Sequence, residues 1–394
     1  MYFYRIENNL AASPLPNLPF EAAEPGTPAL FLTEWEGAPA VFRATQSHHL
    51  TDPAGVRWLT DSSALERPLT AVNLRHPRWR DALAFTAPKP GKKRVHLLAV
   101  GDVGGTLLTA LKLLGGDCIS AIGIRDLNEN TVARWTTEMG QIAWPWDYDA
   151  LPEVEAIPED RLFDCDAFIF AATKAIPAVG SGVQDVRMAQ FAANCPLVEH
   201  FSRQARKARF GGLFMVLSDP VDPLCKAAWL ASNTAPDGTL DHQGLLPEQV
   251  QGFGLGVMNA RTAYFAKQDP RFAGFLTEGR SFGPHGRGLV IANSIEHYDD
   301  ALSRELTEKV ETSNLRIRER GCKPYGAPAV SSGAMQLLLA LRGDWHCSSV
   351  PLGDVWFGVK NRFTPQGLEV ETLPLPDALF ARLLETEALL KAIV

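Results

Sequence analysis

The sequence predicts an α/β protein with a doubly wound parallel sheet, on three observations. Short, almost wholly apolar runs at 95–100, 119–124, 167–172 and 213–217 have the composition of strands covered on both faces. A helical pattern at 104–114 separates the first two, with Leu107, Leu108, Leu111 and Leu114 on one stripe and Gly115-Gly116 as its stop. Strand, helix and strand within about 30 residues form the βαβ unit of a parallel sheet.

Three zones follow along the chain. Residues 1–92 carry eleven prolines from Pro14 to Pro90, which leaves little room for long helices. Within them 29–35 and 40–45, separated by Glu36-Gly37-Ala38-Pro39, read as a hairpin, so this zone is a β-containing N-terminal extension. Residues 87–93, with two prolines and a glycine, read as a linker. Residues 93–222 hold the parallel sheet. Residues 223–394 read as an α+β unit: helices at 298–320 and 326–341, a loop at Trp345-His346-Cys347, strands at 354–360 and 367–372, and a final helix at 377–394.

Composition narrows the function. The 394 residues are 46% hydrophobic and 21% charged, ordinary values for a globular chain with a sizeable core. A formal charge of −7 gives no electrostatic footprint for nucleic acid. No apolar run reaches the roughly 18 residues of a membrane span, and the start of the chain lacks the pattern of a secretory leader. The six cysteines are widely spaced with no C-x-x-C, which suits reduced thiols in a cytoplasmic enzyme and predicts no metal centre. Adjacent His48 and His49 cannot both face one ion from a regular element, so solvated or packed side chains are expected there.

The first strand runs into Ala99-Val100-Gly101-Asp102-Val103-Gly104. Against the dinucleotide pattern G-x-G-x-x-G, Gly101 and Gly104 stand at the second and third glycines, and Ala99 replaces the first. The second lets backbone approach a pyrophosphate, and the third lets helix and strand pack closely. The pyrophosphate then lies on the first amides of the helix. Asp126 ends the next strand 22 residues after Gly104, where an acid accepts hydrogen bonds from the adenine ribose. An acid there favours NAD over NADP, although Arg125 beside it softens the preference. The expected unit is thus Rossmann-type.

From about residue 93 onward the sequence resembles the lactate/malate dehydrogenase family. The resemblance lies in Val100-Gly101-Asp102-Val103-Gly104, Ile124-Arg125-Asp126-Leu127-Asn128, the strand 168–172, Gln184-Asp185-Val186-Arg187, Ser218-Asp219-Pro220-Val221-Asp222, Gly252-Phe253-Gly254 leading to Asn259-Ala260-Arg261, and Gly283-Pro284-His285-Gly286, in that order. It implies an NAD-dependent oxidoreductase interconverting a 2-keto and a 2-hydroxy acid, with a small anionic carboxylate as substrate and a homodimer or homotetramer as assembly. It makes His285 the general acid–base, a role suited to a group that titrates near working pH. Arg261 becomes the carboxylate clamp, and Arg187 the group that polarises the carbonyl when its loop closes. Ala171 and Ala172 join Ala99, Gly101, Asp102, Val103, Gly104 and Asp126 in the cofactor site.

Departures from the family accompany these matches. The aspartate that orients the histidine is replaced by Met258. An aspartate, Asp219, stands where the family has asparagine, and either partners His285 or caps the following helix. Ser181 occupies the substrate-reading loop position with neither family signature. Lys323 either meets a second anionic group or extends to solvent. Simple pyruvate or oxaloacetate is therefore not the expected substrate. An NAD-binding sensor or scaffold without turnover is the alternative that Met258 supports. An NAD-dependent glycosidase would need a Cys/His metal site that the sequence lacks.

Overall fold

The structure is a computed structural model, and it describes residues 1–86, 89–174, 186–321 and 327–394. The N-terminal segment contains β1 (Tyr2–Ile6), β2 (Asn9–Ser13), β3 (Glu21–Ala22), β4 (Leu30–Thr33), β5 (Val41–Gln46), the single turn α1 (His48–Thr51), the long β6 (Ala64–Asn73) and α2 (Trp79–Phe85). The hairpin expected from β4 and β5 does not form. Strand β6 lies between them, parallel to β4 and antiparallel to β5. The connection is held elsewhere: the Trp35 amide donates to Asn73 Oδ1 at 3.2 Å, and Ala38 bridges to Gly353. Sequence hides β6 because Glu66-Arg67-Pro68 interrupts its alternation. His49 is buried, with its Nε2 2.9 Å from the Trp58 carbonyl, whereas His48 bonds Ser62 near the surface.

Next come β7 (Lys93–Leu98), α3 (Asp102–Leu114), β8 (Ile119–Arg125), α4 (Glu129–Gly140), β9 (Glu153–Ala156), β10 (Ala167–Phe170), α5 (Val186–Lys207), β11 (Leu213–Val216), α6 (Val221–Asn233) and β12 (Val250–Gly252). The six strands are all parallel and lie in the order β9-β8-β7-β10-β11-β12. That is the 3-2-1-4-5-6 arrangement of a doubly wound Rossmann-type sheet, whose order reverses between β7 and β10. Apolar clusters on both faces explain the unbroken apolar strand sequences: one packs Leu107, Leu108 and Leu111 of α3 on the sheet, the other Leu224 and Ala228 of α6.

The remainder comprises α7 (Leu255–Ala266), α8 (Phe275–Glu278), β13 (Arg280–Phe282), β14 (Val290–Ala292), α9 (Asp300–Glu311), α10 (Ser313–Glu319), α11 (Ser331–Arg342), β15 (His346–Leu352), β16 (Val355–Thr364), β17 (Gly367–Val370) and α12 (Asp377–Lys391). The single helix expected over 298–320 is two, because Asp299 caps the first and Thr312 ends it. His346 opens β15 instead of lying in a loop; Ser348, Ser349 and Pro351 mask the strand in sequence. Strands β15, β16 and β17 continue the main sheet antiparallel from β12, and β17 pairs in parallel with β5. One apolar cluster joins Phe42 and Trp58 of the N-terminal segment to Phe357 of β16 and to Leu379, Leu383 and Leu390 of α12. Among the described residues no helix is long and apolar enough to cross a membrane.

Candidate active site

The turn leaving β7 is built by three different steric demands. Ala99, in place of a glycine, has φ +72°, and its amide donates to the Arg125 carbonyl at 2.7 Å. An alanine held in this left-handed region costs on the order of 1–3 kcal/mol, offset here by the strand on either side. A Cβ on Gly104 would stand 2.0 Å from the Ala99 carbonyl oxygen, so only glycine lets α3 approach β7. A Cβ on Gly101 would meet nothing within 4 Å. Gly101 is also the N-cap of α3 and supplies no side chain to its first amides. Open space over uncapped amides, with Asp102 and Val103 exposed beside it, fits the pyrophosphate of a dinucleotide.

Asp126 braces this turn from β8. One carboxylate oxygen accepts from the Val100 amide at 2.9 Å, the other from the Asn128 amide at 3.0 Å, and each retains a lone pair for a ribose hydroxyl. Trp135 of α4 donates to the Val100 carbonyl at 2.8 Å. Across the sheet's reversal point, the Ala171 amide donates to the Leu98 carbonyl at 3.2 Å and the Ala172 carbonyl accepts from the Ser218 hydroxyl. Two substitutions separate packing from binding. Gly104→Ala should destabilise the fold by about 1–3 kcal/mol through the clash with Ala99. Gly101→Ala should leave the melting temperature unchanged and weaken binding of NADH, read by its fluorescence.

His285 sits in the turn between β13 and β14, which Gly283 (φ +80°) and Gly286 (φ +132°) allow to fold tightly. Its Nδ1 is 2.9 Å from the Gly254 carbonyl. A carbonyl only accepts, so Nδ1 carries the proton in the neutral ring and Nε2 is the nitrogen without one. The backbone amide of His285 donates to Asp222 Oδ2 at 3.3 Å, and Asp222 Oδ1 accepts from Ser349. Asp222 is 2% exposed in the first turn of α6, where the helix dipole favours an anion. His285 and Asp222 border a cavity of about 300 Å³.

Gly254, Met258 and Arg261 lie at i, i+4 and i+7 along the start of α7, on one stripe. The thioether of Met258 is buried at the position of the family's aspartate, and Arg261 Nη1 lies 3.7 Å from its sulfur. The guanidinium thus folds back one turn toward the end of α7 that holds His285. Among the described residues the Asp219 side chain shows no hydrogen bond to His285 and does not cap α6. His285 Nδ1 is taken by Gly254, and α6 has Pro220 at its N-cap with no side-chain cap. Instead the Asp219 carbonyl accepts from Asn194 Nδ2 at 2.8 Å, while Asn194 Oδ1 accepts from the Lys174 amide at 2.9 Å. Arg187 is the second residue of α5. Ser181 and Lys323 lie outside the described residues.

Sequence reasoning missed four contributors. Asn194, in the middle of a long helix, carries no local signal. The Gly254 carbonyl is a backbone atom, invisible to residue type. Asp222 stands in a quoted motif, and its burial was its missing clue. The residues of α12 that border the cavity are more than a hundred positions from His285.

A parallel six-stranded sheet in this order, with a glycine turn at its reversal point, defines a doubly wound, Rossmann-type α/β protein. No family profile matches the chain. It is 24% identical over 264 residues to an L-lactate dehydrogenase of Corynebacterium jeikeium (strain K411), a match that spans 65% of this chain and 74% of that one. Its fold is similar to the minor L-lactate dehydrogenase of Enterococcus mundtii in its ligands-bound form, with a TM-score of 0.60 and 18% identity over 77% of this chain and 97% of the other. It is also similar to the malate dehydrogenase of Archaeoglobus fulgidus in complex with NADH, with a TM-score of 0.59 and 15% identity over 76% and 98%. In sequence across 65% of its length, and in fold, the chain is similar to lactate and malate dehydrogenases.

Proposed function

We propose that the protein is an NAD-dependent oxidoreductase interconverting a 2-keto acid and a 2-hydroxy acid, with His285 as general acid–base. One observation carries the reading: His285, its Nδ1 bonded to the Gly254 carbonyl, lines a cavity on the C-terminal side of the sheet. Bound NAD would supply or accept the hydride. In the reducing direction Nε2 of the imidazolium gives its proton to the carbonyl oxygen, and it regains one in the reverse reaction. Asp222 positions the imidazole by holding its backbone amide. Arg261 binds the substrate carboxylate, and Arg187 polarises the carbonyl. The first amides of α3 and Asp126 hold the cofactor. The family resemblance supports a homodimer or homotetramer.

The test follows absorbance at 340 nm with NADH and a panel of 2-keto acids. Acid-dependent loss of absorbance, with NADH preferred over NADPH, is the expected result. Tight NADH binding with no turnover of any acid would replace this reading with an NAD-binding sensor or scaffold.

A further inference from the structure

The cavity beside His285 specifies the part of the substrate that the reaction itself leaves open. Its walls are apolar: Pro220 and Pro223 from the start of α6, Pro284 from the histidine turn, and Leu389, Leu390 and Ile393 from the end of the chain's last helix. That helix is fastened over the turn, since Thr386 Oγ1 donates to the Gly288 carbonyl at 2.9 Å and Leu390 is rooted in the large apolar cluster. Besides His285, two ionisable side chains reach the cavity. Arg287 is exposed at its rim. Asp222 is buried in the wall, where its carboxylate accepts from Ser349 and from the His285 amide.

Each feature selects against one simple substrate. A second carboxylate, as in oxaloacetate, would be desolvated among prolines and leucines beside the Asp222 carboxylate, with Arg287 as a cation only at the exposed rim. The methyl group of pyruvate would leave most of the 300 Å³ unfilled and its lining without contacts. We infer that the substrate is a 2-oxo acid with a branched aliphatic or aromatic side chain, seated in this cavity with its reacting carbonyl at His285. This inference rests on the proposed function and names the substrate class for the same site. Residues Leu389 and Ile393 then determine specificity, although neither touches the reacting atoms.

The experiment compares kcat/KM for 4-methyl-2-oxopentanoate, phenylpyruvate, pyruvate and oxaloacetate on the full chain with NADH. Because one methylene in an apolar pocket changes kcat/KM about 10- to 200-fold, the first two should exceed the last two by at least about 100-fold. Leu389→Arg should lower kcat/KM for 4-methyl-2-oxopentanoate at least about tenfold and raise it for oxaloacetate. Ile393→Ala, a milder change should the arginine disturb folding, should shift preference toward phenylpyruvate. Pyruvate or oxaloacetate turned over as well as the apolar acids overturns the inference and leaves the oxidoreductase reading standing. No turnover of any acid overturns both. If Leu389→Arg weakens NADH binding while the substrate ratio stays fixed, the cavity belongs to the cofactor and the inference falls.

Discussion

Replacing His285 by alanine should lower kcat for keto-acid reduction by about a thousandfold, in the middle of the 10²–10⁴ range for a positioned proton donor. NADH affinity should stay unchanged, because the imidazole bonds Gly254 and belongs to the β13–β14 turn, a separate element from the glycine turn at 101–104. The two readouts together distinguish lost chemistry from lost structure. An unaltered kcat would remove His285 from the reaction. The carbonyl partner gives a further expectation. A neutral carbonyl fixes the tautomer but brings no opposite charge to the imidazolium, so Met258→Asp should extend the rate of reduction toward higher pH.

The second large effect is an acid transition set in part by three buried histidines. Burial pushes His49 down to about 3, and His76 and His346 down to about 4. These groups fold neutral, and in the unfolded chain they take up protons near pH 6.5. The contribution of each is therefore complete above about 6.5 and is lost as pH falls toward its depressed value. Three such groups give a slope of up to about 4 kcal/mol per pH unit below pH 6.5. Glu248 acts in the opposite sense. Burial pushes it up to about 7 against the opposing bond from the Val41 amide to its Oε1 at 2.8 Å, so folding favours its protonated form and stability declines from about pH 4.5 to 7. Stability should therefore peak near pH 6.5. Urea midpoints between pH 4 and 9 measure this, and a flat profile below 6.5 would refute the assignment.

What could be read in the sequence followed from where the physical cause sits. Strands β7, β8, β10 and β11 are apolar because both faces are covered, and that cause leaves a continuous mark in the chain. The turn at 101–104 was equally readable, since a Cβ at Gly104 has no room. Strand pairing across distance left no such mark. The segments that became β4 and β5 have the composition of a hairpin, yet β6 separates them. The partner of His285 escaped for a related reason: with Met258 in place of an acid the residue types point to Asp219, whereas Nδ1 bonds a peptide carbonyl at 254. Side chains chosen for chemistry were visible, and backbone atoms recruited to serve them were not.

The shared cluster linking Trp58 to Leu390 gives the first ninety residues an architectural meaning. They buttress the outer face of the helix whose inner face roofs the cavity at His285. Cutting the chain at residue 93 would expose that roof to water on its far side and leave the sheet edge at β17 unpaired. The extension is thus welded to the part of the chain that carries His285, and the two stand or unravel together.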